Sequence, residues 1–112
     1  MTRPRLKLGG TVTQATSKST AVQLDRMAGQ ITMNGAALAA TTSVSFTLTN
    51  AELDADDLVV VNIGSGATAG SYTLNADAVA AGSCRMHLRN VTAGGLSEAL
   101  VLNFGIIKVQ LS

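Results

Sequence analysis

The chain has 112 residues, enough for one domain and too few for two independent cores. Its residues are 46% hydrophobic but only 3% aromatic and 13% charged, and the net charge of +1 sets up no global field to draw in nucleic acid or an anionic membrane. A single cysteine, Cys84, excludes an intrachain disulfide framework and a CxxC zinc or redox site, and short apolar runs such as Leu58–Val61 rule out a membrane-spanning helix.

The first ten residues, MTRPRLKLGG, carry Arg3, Arg5 and Lys7 together with the single proline, so the start of the chain is basic and the remainder acidic. No apolar stretch follows these bases, so the segment does not read as a secretory signal. It reads as an extended arm over residues 1–10, followed by one domain over 11–112. Short strands separated by turn signals then recur at the spacing of a sandwich or barrel. Thr11–Ala15, Thr20–Leu24 and Gln30–Met33 come first. Asn34-Gly35 and the alanine-rich Ala36–Ala40 predict a turn followed by a single helical turn. Ser43–Thr49 is the clearest strand: Val44, Phe46 and Leu48 alternate with Ser and Thr, placing one face in the core and one in water.

The acidic stretch Glu52–Asp57 reads as a solvated turn. Leu58–Ile63, with four consecutive apolar residues, predicts a strand covered on both faces or lying at a subunit contact. Gly64–Gly70 predicts a hairpin loop, Ser71–Leu74 a strand, and Ala76–Ala81 another helical turn. In Ser83–Asn90 the inward residues are Cys84, Met86 and Leu88, while Arg85, His87 and Arg89 point outward. Leu100–Gln110 is the last strand, with Gly105 as a candidate bulge. Eight candidate strands with mostly short connections give an all-β, antiparallel sandwich, jelly-roll-like. A core this poor in rings favours association, which supplies further buried area.

No constellation for catalysis emerges. Gly64-x-Gly66-x-x-x-Gly70 after a strand mimics a phosphate loop, but Ser71–Leu74 continues as a strand where a phosphate cradle needs a helix N-terminus. The acids at 52–57 lack the spacing of a calcium loop. His87 is the single histidine, and a Cys84–His87 nucleophile pair fails because odd spacing puts the two on opposite strand faces. No catalytic, cofactor or metal residues are therefore expected. The outward stripe Arg85, His87 and Arg89 reads as a contact to carboxylates, and Arg3, Arg5 and Lys7 as a second contact set. Asn90-Val91-Thr92 matches a glycosylation sequon, but nothing in the sequence indicates secretion, so it is not read as a modification site.

The segments GGTVTQATSKSTAVQL (9–24), GQITMNGAALAATTSVSFTLTN (29–50), DDLVVVNIGSGATAGSYTLNADAVAAGS (56–83) and LRNVTAGGLSEALVLNFGIIK (88–108) together resemble small β-sandwich virion proteins of tailed bacteriophages. The charged run Cys84-Arg85-Met86-His87 departs from the plainer β-formers of that pattern. The resemblance implies a non-enzymatic virion component, trimeric and without cofactors, made in the host cytoplasm and placed on the capsid surface. Its expected role is that of a capsid decoration (cement) protein bound to the major capsid protein; a head- or tail-fibre domain that touches the host surface is the alternative.

Overall fold

The computed structural model describes residues 8–109, which form eight strands and no helix. These are β1 (Leu8–Thr13), β2 (Val22–Gln23), β3 (Ala28–Thr32), β4 (Ser43–Thr49), β5 (Leu58–Ser65), β6 (Tyr72–Ala80), β7 (Ser83–Asn90) and β8 (Val101–Ile107). They pair into two four-stranded sheets, β1-β3-β8-β5 and β2-β4-β7-β6, giving the all-β sandwich expected from the alternating pattern. Arg3, Arg5 and Lys7 lie outside the described residues. β1 opens at Leu8, so Leu8, Gly9 and Gly10 belong to the first sheet and not to an arm.

The chain switches sheets at almost every connection. β1, β3, β5 and β8 lie in one sheet and β2, β4, β6 and β7 in the other, so β6–β7 is the one sequential pair that is hydrogen-bonded. The expected antiparallel pairing is corrected at two edges: because consecutive strands alternate between sheets, β1–β3 and β2–β4 pair parallel, while the other four pairs are antiparallel. The link Gln14–Met27, which visits the second sheet on its way, exceeds the dozen or so residues that a parallel pair requires.

The core lies between the sheets. The first sheet contributes Ile31, Leu102, Phe104 and Ile106, the second Phe46, Leu48, Cys84, Met86 and Leu88, all buried. Each follows from two-residue alternation: Val44, Phe46 and Leu48 pair with Leu88, Met86 and Cys84, so the inward residues of adjacent strands sit side by side. With two phenylalanines and one tyrosine in the chain, aliphatic side chains carry most of this burial, worth about 1.5–3 kcal/mol for each one fully enclosed.

Where the chain leaves a strand, buried amides close the ends of the sandwich. Gln14, just past β1, donates to the carbonyls of Lys18 and Thr20 at 2.8 and 2.9 Å and accepts from the Asn34 amide. Asn50, just past β4, donates to the Arg26 carbonyl. Lys18 is itself buried, its ammonium donating to the carbonyls of Asn34 and Glu98. Burial pushes its pKa below the ordinary lysine value, and the charge of Glu98 opposes that shift only in part. Among the described residues no buried side-chain polar atom lacks a partner.

Four local expectations are corrected. Ala36–Ala40 is extended, bridging through Leu38 to Leu96, because Asn34 turns the chain with its own side chain (Oδ1 accepting from the Ala36 amide) and the segment must cross to the other sheet. Ala76–Ala81 forms no helical turn: Ala76–Ala80 continues β6, held by pairing with β7 despite the helix propensity of alanine. Gly105 pairs regularly on both sides, with Ala28 and with Val60; the register shifts fall instead between Leu8 and Thr11, Ile63 and Ser65, and Asp77 and Ala80. Gly64–Gly70 joins strands of different sheets and is therefore an arch, not a hairpin loop. Gly66 is required in that arch, since at φ +78° an added Cβ would lie 2.6 Å from the Ala99 carbonyl oxygen.

Candidate functional site

The outward stripe read from the sequence lies at the centre of the second sheet. Register places Ser43, Ser45 and Thr47 of β4 opposite Arg89, His87 and Arg85 of β7, and these opposite Thr73, Asn75 and Asp77 of β6. The result is a polar grid three strands wide, backed by Phe46, Met86 and Leu88. β7 is held on both sides, so the positions of Arg85, His87 and Arg89 are fixed by a paired backbone and not by a loop.

Each of these three side chains is oriented by its neighbours. Arg85 donates to the Thr47 and Ser45 hydroxyls at 3.2 and 2.5 Å, and Arg89 to the Ser43 hydroxyl at 3.5 Å. His87 Nε2 lies 2.6 Å from Asp77 Oδ1. Asp77 pairs in register with Arg85 but binds His87 diagonally. Just beyond it the strand bulges, and Ala78 there takes φ +52°, which L residues other than Asn and Asp seldom adopt. Among the described residues Arg85 and Arg89 have no carboxylate partner. Their backbones are about 13 Å apart at the rise of a strand. Two charge-bearing forks held by neutral hydroxyls keep most of their capacity for an incoming carboxylate.

Cys84 sits on the opposite face from His87, buried, with burial and then the charge of Asp77 raising its thiol to about 11. It is a core residue, not a nucleophile. The sequon is also consumed: the Asn90 side chain is buried, donates to the carbonyls of Leu38 and Gly94, and accepts from the amide and hydroxyl of Thr92.

The acidic stretch is not simply a solvated turn. Asp57, with 2% of its side chain exposed, accepts from the Asp54 amide at 2.8 Å and from Lys108 Nζ at 2.6 Å. Lys108 also binds Asp54 at 2.8 Å. The Lys108 hydrogen bond is the main reason that the Asp57 carboxyl stays below its ordinary range. No sequence signal linked residues so far apart; only the register of β8 beside β5 brings Lys108 over the turn.

The arch between β5 and β6 borders a shallow cleft of about 290 Å³ lined by Gly64, Ala67, Ala69, Gly70 and Tyr72 among others. Beside it the Glu98 carboxylate accepts from the Thr68 amide, the Thr68 hydroxyl and the Tyr72 hydroxyl. These bonds, the Thr68 amide first, hold Glu98 below the ordinary carboxylate range. Burial, and then the Glu98 hydrogen bond, raise Tyr72 to about 12. The network ties the arch to the segment leading into β8 and occupies three of the roughly four acceptor sites of the Glu98 carboxylate. Comparison of the chain with protein-family models, curated proteins and solved structures finds no match.

Proposed function

We propose that this chain is a structural protein of a tailed-bacteriophage virion, a capsid decoration (cement) protein that binds the outer surface of the head and stabilises it. It acts as a homo-oligomer, a trimer by the resemblance, and works by contact and not by turnover. The virion setting rests on the resemblance of the four segments quoted above. The contact chemistry rests on one observation: Arg85 and Arg89 stand on a sheet face paired on both sides, oriented by hydroxyls and unpaired with acid among the described residues. Such a face suits carboxylates of the major capsid protein. Many weak charge-assisted contacts repeated over a lattice add up to tight attachment through effective concentration.

Electron microscopy of the intact particle tests the reading. Density over the icosahedral shell at high copy number is the expected result; a few copies at a vertex or tail would make the chain a fibre domain. Co-sedimentation with empty shells tests the face. Arg85→Glu with Arg89→Glu is expected to abolish binding while leaving the melting transition in place, and unchanged binding would exclude this face.

A further inference from the structure

The four sheet edges of the molecule are unequal. β2 is only Val22–Gln23. β1 is broken between Leu8 and Thr11, where Gly9 and Gly10 both take positive φ. β6 carries Asp77 and bulges at Ala78 and Val79. Short length, bulges and inward or edge charges are the devices by which sheet proteins keep their edges from pairing with other chains. β5 has none of them over Leu58–Ile63: those six residues pair regularly with Ile107–Leu102 of β8 and include no charge, no proline and no glycine.

Over Leu58–Val60 the same strand is apolar on its outward face. Leu58 and Val60 are 55% and 54% exposed, and Ile107, opposite Leu58, is 51% exposed. Three side chains are too few for face-to-face packing, where a standard interface buries about 800 Å² on each partner. Main-chain pairing draws on backbone hydrogen bonds as well as apolar area, and so fits a narrow patch on an open edge.

We propose that the β5 edge pairs antiparallel with the β5 edge of a second copy of this chain about a twofold axis near Val60. This pairing does not depend on the virion reading. It is self-complementary, as a twofold contact must be. With Val60 on the axis, Leu58 lies beside Asn62 of the second copy and Asp56 beside the uncharged Gly64, so no like charges meet. Outward faces stay on the same side, and the two β1-β3-β8-β5 sheets join into one.

Sedimentation of the full chain at micromolar concentration is expected to show an even number of copies: a dimer of twice 11.4 kDa or, where the trimer of the resemblance also forms, trimers joined in pairs through β5. Val60→Lys places a charge at the axis on a side chain already half exposed. It is expected to weaken the dimer roughly tenfold or more, with circular dichroism unchanged and the same melting as the parent at dilutions where both are monomeric. Thr73→Lys on the β6 edge is expected to leave association intact. Because Cys84 is buried, Val60→Cys supplies an independent readout: an oxidised covalent dimer under native conditions, which Thr73→Cys does not form. A monomer at all concentrations would overturn the proposal. So would an oligomer of any size that ignores Val60→Lys and gives no Val60→Cys cross-link, or Leu58–Val60 occupied by a different protein while the chain alone stays monomeric.

Discussion

The two outer surfaces of the sandwich are built from the same two-residue alternation and differ in what it presents. Over β4, β7 and β6 the outward positions carry hydroxyls, amides, two arginines and a histidine, tied to each other across three paired strands. Over β5 and the end of β8 they carry Leu58, Val60 and Ile107 on an edge with one side unpaired among the described residues. A polar face of fixed side chains suits a partner that brings charge; an apolar open edge suits a partner that brings a strand. The shared scaffold therefore assigns specificity to what each face displays and where its strands end, not to fold.

The largest contrast to break is between inward and outward residues of one strand. Met86→Ala is expected to cost about 2–5 kcal/mol in chemical denaturation, because it opens a cavity behind the polar grid. Arg85→Ala, one residue earlier, is expected to change stability by less than about 0.5 kcal/mol, since its bonds are to exposed hydroxyls. Equal losses would mean that the grid is a structural element and not a surface free to bind.

A pH titration sharpens the same contrast. Cys84 is raised to about 11 from 9.0, so in the unfolded chain the thiol loses its proton first. Its contribution is intact below pH 9 and declines by about 3 kcal/mol as pH rises to 11. Tyr72, raised to about 12, acts in the same direction from pH 10 upward. Lys18, lowered by burial, acts oppositely, its contribution rising toward pH 10.5. Cys84→Ala is expected to flatten the fall of stability above pH 9 measured by urea denaturation. On the acid side Asp57 and Glu98, both held low, support folding until pH drops beneath the usual carboxylate range.

A further contrast, smaller than the loss at Met86, lies at the bulge that blunts β6. Ala78→Gly removes the Cβ from a residue at φ +52° and is expected to stabilise the fold by about 0.5–1 kcal/mol, seen as a higher melting temperature. A loss of stability would show that the alanine methyl packs usefully and that the bulge is unstrained.

Much of this fold is legible in the sequence where alternation is strict. Ser43–Thr49 and Ser83–Asn90 match β4 and β7 residue for residue, and the inward and outward sets of β7 fall as alternation dictates. Alanine-rich segments misled, because alanine has no β-branching and its helix propensity says nothing about the neighbouring strand that claims it. The arch at Gly64–Gly70 read as a hairpin because its length is the same whether the chain returns in its own sheet or crosses to the other. Leu58–Ile63 was readable as unusually apolar. Whether that excess is covered depends on sheet order, and sheet order places it at an edge. The interaction stripe Arg85, His87 and Arg89 was visible, but its hydroxyl partners on β4 and the diagonal reach of Asp77 needed the register. Lys108 over Asp54 and Asp57 left no local trace at all.

Amide hydrogen exchange compared at low and high protein concentration tests most directly whether the two surfaces have separate tasks. Protection over Leu58–Ile63 is predicted to rise with concentration while Ser43–Thr49 and Ser83–Asn90 exchange at unchanged rates. Concentration-independent exchange along β5, or protection gained equally on both sheets, would contradict the account.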